Sequence, residues 1–500
     1  MLKGSYFVTL LYALALIVLG SHGLAQPPKS PNFVIMYIDD LGYADLGIYA
    51  DKRLNTPAVD QLVKAGQSWT NFYASAPTCS QSRGALLTGS LPVRTGLYGD
   101  HLNVMWPGAV RGIEPSLTTM AEVFKRHGYL TALFGKWHLG DAPDLLPTRH
   151  GFDEWLGIPY SNDMDWSIGG ITSTTVFNDL ATSRDKWKKV GKIYQQQMKN
   201  PKVSDWNVPL IHSRARPDGS YSDDILERPF DQTIITQRLT QESVKFIQEA
   251  GQSGQAFFLF IPHVMAHVPT FRSKSFVGKS EMGRYGDVLE ELDWSVGKIL
   301  ETLRKEGLED NTYIVFTSDN GPWLPYAPEQ AGSAGPLRGG KGSTFEGGMR
   351  VMTIFAGPGI QSGVVSGMGM DTDIFNTFLA LADLPAAPTA IDSVDLSSTL
   401  KNGVPSPRKF VPFFNNSRLS ALRLGSLKLH FNSVKGATHR VPSISPQSLY
   451  DLGSDVGEHY DLSQSKRADV QKLFDYATAF DASIHRVPGI FDQQKTIDEE

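Results

Sequence analysis

The chain has 500 residues, 47 Lys and Arg against 52 Asp and Glu, a formal net charge of −5 and a single cysteine. At roughly 150 residues per domain, this length suggests two to four domains, or one large α/β domain with an appendage; 41% hydrophobic and 20% charged residues exclude a disordered or fibrous chain. The mildly acidic balance argues against a general nucleic-acid binder, which needs a basic face, and the lone Cys79 excludes an internal disulfide, a zinc ribbon and an iron–sulfur cluster.

Residues 1–25 read as a secretory signal. Lys3 supplies the positive start, and Phe7 to Leu19 is an apolar run too short to span a bilayer comfortably. Gly23 and Ala25 offer small residues for a cut before Gln26. An uncleaved anchor is the alternative. No later segment is long and apolar enough to span, so no membrane association is expected after cleavage. One glycosylation acceptor stands out, Asn415-Asn416-Ser417. With no cysteine pairs, this favours a bacterial periplasm or exterior over a lysosome.

Residues 26–405 then alternate strands and helices. Phe33 to Ile38 is a continuous apolar run, the pattern of a strand buried on both faces, and it ends in Asp39-Asp40. Thr56 caps a predicted helix Pro57 to Ala65, stopped by Gly66. Cys79 opens what reads as another helix, with Arg83 one turn on. Ser116 to His127 is helical and stops at Gly128; the strand Leu130 to Phe134 leads to Lys136 and His138. Residues 160–230 have weak periodicity and are expected to form a loop-rich insertion on the substrate side. A helix Asp231 to Ala250 precedes the strand Phe257 to Ile261, which leads to His263 and His267. A helix Asp287 to Glu306 precedes the strand Tyr313 to Phe316, which leads to Asp319-Asn320. A fifth strand, Val351 to Phe355, ends in Gly357-Pro358. From 406 to 500 the strands turn short and alternating, as in Leu422 to Phe431, with a closing helix near Asp469 to Phe480. This predicts a small antiparallel-sheet domain.

Alternation of this kind builds a large, mostly parallel α/β sheet flanked by helices. Ligands bind beyond the carboxyl ends of such strands, and four strands deliver Asp, Lys, His or Asn there. Asp39, Asp40, Asp319 and Asn320 offer hard oxygen ligands that suit Ca²⁺ or Mg²⁺ rather than zinc, although each pair alone is also an ordinary turn sequence. His263 and His267 lack the Glu of a zinc-protease helix, since Val264 stands there, and Pro262 and Pro269 argue against a helix. Gly335 to Gly342 is not a P-loop, because Gly342 replaces the required hydroxyl; it reads as a flexible loop presenting Lys341 to an anion. Lys186, Lys188, Lys189 and Lys192 around Trp187 suit either an anionic polymer or plain solvent. Cys79 is either an inert buried thiol or a nucleophile facing an anion held by a helix N-terminus and Arg83.

Specific motifs decide among these readings. They are Ile38-Asp39-Asp40-Leu41-Gly42, the stretch Cys79 to Gly89, Gly135-Lys136-Trp137-His138-Leu139-Gly140 and His150-Gly151-Phe152-Asp153. Ser318-Asp319-Asn320-Gly321, Gly340-Lys341-Gly342 and Leu449-Tyr450-Asp451-Leu452 complete the set. From Pro31 to about Leu462 the chain resembles the type I, formylglycine-dependent sulfatases, arylsulfatase A-like group. The resemblance implies an alkaline-phosphatase-like fold and conversion of Cys79 to formylglycine by a maturation enzyme. It further implies Ca²⁺ (or Mg²⁺) on Asp39, Asp40, Asp319, Asn320 and the modified residue 79. Arg83 would stabilise the formylglycine hydrate. Lys136 and Lys341 would hold sulfate oxygens, and His138, Ser161 and His267 would complete the pocket.

In the chemistry so implied, one hydroxyl of the hydrate attacks sulfur with Asp319 as base, and His267 protonates the leaving alcohol. The other hydroxyl collapses to expel sulfate, with His138 as base. Cation, Lys and Arg together neutralise the anionic ester. Two positions depart from the family pattern: Gln81 stands where Pro or Ala is usual, and Ser90 where Arg is usual. Both bear on maturation. The expected substrate is a sulfated carbohydrate, with Asn162, Asp163, Asp165 and Arg272 as positional candidates for sugar contacts. A phosphate or phosphonate ester hydrolase, and a glycan-binding protein that has lost maturation, are the competing readings.

Overall fold

The computed structural model describes residues 30–47, 51–177, 183–325, 330–432 and 447–493; the expected signal segment lies outside them. Pro31–Glu500 forms one compact unit. No helix among the described residues is long and apolar enough to cross a membrane.

Among the described residues, ten strands make the main sheet. Its centre is five parallel strands in the spatial order Thr312–Ser318, Asn32–Ile38, Phe257–His263, Leu130–Lys136 and Glu154–Ile158. The apolar runs are continuous because both faces are covered. Along the central strand, Val34, Met36 and Ile38 point into one core. Phe33, Ile35 and Tyr37 point into the other. The first core is closed by the helices Pro57–Ala65, Ile235–Ser253 and Gly283–Lys305, through side chains such as Leu62, Leu239, Ile247, Leu292 and Val296. The second is closed by Cys79–Thr88, Met120–Arg126 and Asp373–Leu381, through Leu86, Leu87, Phe124 and Phe378. Phe33 alone meets the rings of Phe124 at 4.9 Å and Phe378 at 4.7 Å. Each such fully buried side chain stabilises by about 2 kcal/mol.

Antiparallel pairings on both sides of this centre make the sheet mixed, although the edge strand Gly363–Met370 again pairs parallel with Gln67–Tyr73. The fifth predicted strand, observed as Arg350–Ala356, runs against Thr312–Ser318. The two alternatives share one sequence pattern, since burial on both faces erases the alternation that separates them. The insertion at 160–230 is not loop-rich. It holds a 17-residue helix, Ser183–Lys199, and two strands, Leu210–Ala215 and Tyr221–Glu227, that extend the main sheet. The helix buries only Val190, Tyr194 and Met198, and the outer strand is mostly exposed. That leaves too few apolar positions to read.

Helix starts also differ. Thr56 makes no side-chain cap; the Asp293 carboxylate accepts from the backbone N–H of Val59 at 2.8 Å and Ala58 at 3.2 Å instead. The helix expected from Ser116 begins at Met120, where Thr119 and Glu122 form a capping box. The C-terminal region is a four-stranded antiparallel sheet, Phe410–Asn415, Arg418–Leu424, Leu427–His430 and Ser448–Asp451, covered by the helix Arg467–Ala482. The chain then returns to the main body: Val487, Ile490 and Phe491 donate backbone N–H groups to the carbonyls of Val93, Gly96 and Tyr98.

Candidate active site

Parallel register brings the chemistry to one edge. Ile38 pairs with Ser318 on one side and His263 on the other, so Asp39, Asp319 and the turn to His267 leave the sheet at one level. Lys136 pairs with Ile158, three residues before Ser161. Cys79 is the first residue of its helix and is 1% exposed. Its Sγ and one oxygen each of Asp39 and Asp319 all lie within 4.8 Å of one another.

Charges alternate around this point. Lys136 Nζ lies 2.5 Å from Asp39 Oδ2 and donates to Ser161 Oγ at 3.2 Å. Arg83 donates through Nη2 (2.8 Å) and Nε (3.1 Å) to Asp319 Oδ2, and through Nη1 to the Lys136 carbonyl at 2.8 Å. Lys341 Nζ lies 2.7 Å from Asp40 Oδ1, which also accepts from Asn320 Nδ2 at 2.7 Å. His267 Nε2 is 3.5 Å from Asp40 Oδ2, and its Nδ1 donates to the Val268 carbonyl at 2.5 Å. All eleven residues expected at the site from sequence are thus gathered here, each buried or, in Lys341, 10% exposed along its side chain.

Three oxygens in this cluster, Asp39 Oδ1, Asp40 Oδ2 and Asn320 Oδ1, are buried without a hydrogen-bond partner. Burial and then the neighbouring Asp39 raise the Asp319 carboxyl to about 7. Burial also opposes ionisation of Asp39, but Lys136, His267, Arg83 and Lys341 outweigh it and hold the carboxyl well below its usual range. Orphaned hard oxygens and two mutually repelling carboxylates fit an oxygen-seeking divalent cation. Burial raises the Cys79 thiol, against the pull of Lys136 and Lys341.

Burial acts on both histidines. Burial, then Lys136 and Arg83, push His138 well below its ordinary value. Burial and then Lys341 lower His267. His138 Nε2 donates to the Met105 carbonyl at 2.9 Å, and its Nδ1 has no partner. Asp40 and His138 both hold left-handed backbone, with φ of 58° and 64°. Such conformations cost about 1 kcal/mol or more and concentrate at functional sites.

Above Cys79 opens a cavity of about 330 Å³, lined also by Asn103, Trp106, His138, Ser161, Asp163, His267, Trp323 and Lys341. Sequence reading missed its aromatic wall. Trp106 stacks on Phe177 with ring centroids 3.5 Å apart, and Trp323 lies 5.4 Å from the His267 ring and 5.0 Å from Lys341 Nζ. Trp323 follows Asp319-Asn320 closely enough to have been suspected; Trp106 and Phe177 carried no signal. Of the four sugar-contact candidates, only Asp163 lines the cavity. Asn162 is tied to Gln232 and the Pro269 carbonyl, Asp165 to Tyr160 and Arg228, and Arg272 to Asp287. Lys186 donates to the Thr175 carbonyl and Lys188 pairs with Asp185. Gln81 is 1% exposed and donates to the Asn103 carbonyl and to Asn416 Oδ1; Ser90 donates to the Thr389 carbonyl.

Residues 31–384 match the sulfatase family model. The chain is 36% identical over 469 residues to N-acetylgalactosamine-6-sulfatase of Homo sapiens, covering 88% of this chain and 83% of that one. It is 34% identical over 454 residues to human arylsulfatase A, covering 87% and 83%. The crystal structure of PsFucS1 sulfatase from Pseudoalteromonas sp. superposes with a TM-score of 0.75 at 28% identity, over 95% of this chain and 93% of that one. Phosphonate monoester hydrolase SpPMH from Silicibacter pomeroyi shares the fold alone, at a TM-score of 0.60 and 17% identity over 92% and 96%. Motifs, geometry and similarity therefore agree: the chain belongs to the type I sulfatase family, the arylsulfatase A-like hydrolases of sulfuric esters.

Proposed function

We propose that this protein is an exported, formylglycine-dependent sulfatase that removes sulfate from a sulfated carbohydrate. The observation that carries the reading is Cys79 at the head of a buried helix, facing a cavity and flanked by Asp39, Asp319 and the cations Arg83, Lys136 and Lys341. Relatives named for N-acetylgalactosamine 6-sulfate, and a cavity with aromatic walls, support a glycan substrate.

Asp39, Asp40, Asp319 and Asn320 would hold Ca²⁺, with Mg²⁺ as the alternative, beside residue 79. Such an ion supplies Lewis-acid stabilisation of charge on the sulfate oxygens. Formylglycine, as its hydrate, supplies two hydroxyls on one carbon, one to attack sulfur and one to drive sulfate out. This chain's own groups do the rest. Lys136 and Lys341 bind and neutralise the ester's anionic oxygens. Arg83, locked on Asp319 and the Lys136 carbonyl, holds residue 79 from one side. Asp319 is the base at the attacking hydroxyl, and His267, charged as the anionic ester binds beside it and Asp40, gives a proton to the leaving alcohol from Nε2. His138 takes a proton at Nδ1, the nitrogen left free by its bond to Met105. Ser161 positions Lys136.

Cys79, Gln81 and Arg83 are each 1% exposed, so the maturation enzyme must read this segment before the helix packs. Peptide mass spectrometry across Cys79, on protein from the native host, tests the reading. An aldehyde is expected, and thiol throughout overturns it. Faster hydrolysis of a phosphate ester than of the sulfate ester of the same chromogenic alcohol would overturn the substrate class.

A further inference from the structure

Asp163 is 4% exposed and lines the cavity above Cys79 together with Ser161 and His267. Its Oδ2 accepts from the Tyr194 hydroxyl at 3.1 Å, while Oδ1 is buried with no hydrogen-bond partner. The segment around it is fixed. Asn162 Nδ2 donates to Gln232 Oε1 at 3.0 Å and to the Pro269 carbonyl at 3.1 Å, and Met164 N donates to the Ser161 carbonyl at 3.1 Å. The ammonium group on the cavity wall, Lys341, is engaged with Asp40, and Lys136 beneath Ser161 is engaged with Asp39. A buried acceptor left open costs about 1–3 kcal/mol, so the site is incomplete until a donor arrives. An ionised carboxylate only accepts. It therefore welcomes an O–H or N–H and repels a second anion.

We propose that Asp163 determines specificity. Its carboxylate accepts a hydroxyl or amide N–H of the same sugar that lies close in space to the sulfate under attack, and it rejects sugars that carry a second sulfate there. This rests on the carbohydrate reading above.

The test uses matured full-length protein and sulfate release from 4-O-sulfated, 6-O-sulfated and 4,6-di-O-sulfated N-acetylgalactosamine. The wild type is expected to favour its better monosulfated substrate over the disulfated sugar by at least about tenfold in kcat/KM. Asp163→Asn keeps the shape and one acceptor but removes the charge, and it should shrink that preference to within about threefold, chiefly through KM on the disulfated sugar. An unchanged preference in the variant, or no preference in the wild type, overturns the assignment and leaves the carbohydrate reading standing. No sulfate released from any of these sugars by aldehyde-bearing wild type overturns both. If Asp163→Asn does not fold, Tyr194→Phe carries the test, since losing the hydroxyl that holds Oδ2 lets the carboxylate turn away from the sugar while its charge remains. A rise in KM for the monosulfated sugar with kcat retained supports the assignment, and an unchanged KM overturns it.

Discussion

Lys428 is fully buried where the C-terminal sheet meets the main body. Its Nζ lies 2.9 Å from Glu346 Oε1 and 3.1 Å from Glu458 Oε1, and it donates to the Thr344 carbonyl at 2.8 Å. Glu346 also meets Arg350 at 3.3 Å and Arg423 at 3.9 Å, and Glu458 meets His430 at 2.7 Å. Replacing Lys428 with Met keeps the volume and leaves two buried carboxylates short of a cation. Breaking a buried pair on one side costs about 3–5 kcal/mol. The titration of the cluster gives the pH at which the loss fades. Burial alone would raise the Glu346 carboxyl, but Lys428, then Arg350 and Arg423, hold it at about 2 against an ordinary 4.5. A depressed carboxyl stabilises the fold in full above its unfolded pKa, and that contribution fades as pH falls from 4.5 toward 2. At neutral pH it amounts to about 3 kcal/mol. Urea unfolding followed by tryptophan fluorescence should therefore show Lys428→Met less stable by about 3 kcal/mol at pH 7, with the deficit shrinking below pH 4.5. Adding Glu346→Gln should return about 1 kcal/mol or more, because removing both partners is cheaper than removing one. A loss under about 1 kcal/mol at pH 7, or a deficit independent of pH, would refute the reasoning.

Three further outcomes are expected. His150 is buried against Trp137, its ring nitrogens are unpartnered, and burial lowers it to about 4. The unfolded imidazole takes a proton near 6.5 and the folded one does not, so stability complete above that pH falls by about 3 kcal/mol toward pH 4; His150→Phe should flatten this acid limb in denaturant titrations. Asp492 accepts backbone N–H groups of Asp100, His101 and Leu102, the approach to the cavity wall at Asn103. Asp492→Ala should cost about 2 kcal/mol and raise KM more than it lowers kcat, and an unchanged KM counts against any role for this tail. Chelation of divalent ions should lower the melting temperature and abolish sulfate release, with Ca²⁺ restoring both. At a hundredfold excess over Kd the ion adds about 3 kcal/mol, and a melting curve indifferent to chelator would speak against the cation site.

The central strands were legible because burial on both faces demands unbroken apolar runs, and each run ends in the polar residues that the sheet edge needs. Asp39-Asp40, Lys136, His138 and Asp319-Asn320 could be read as one site from sequence, since parallel strands bring their carboxyl ends together whatever their separation in the chain; Lys341, on a loop, joined them only through the family resemblance. The helix at Cys79 with Arg83 one turn on is local information of the same sort. Strand direction at Arg350–Ala356 was hidden, because a strand covered on both faces looks the same either way. Helix Ser183–Lys199 was hidden by its sparse buried positions. The cap of Pro57–Ala65 by Asp293, the Lys428–Glu346–Glu458 seam and the meeting of Trp106 with Phe177 join residues far apart in the chain, and no spacing rule connects them. Sequence by itself determined which chemical groups the protein carries and to which edge they go. Tertiary structure decided which of them face the substrate: Asn162 and Asp163 are neighbours in the chain, yet packing turned one into the scaffold and left the other with a bare oxygen beside the cavity.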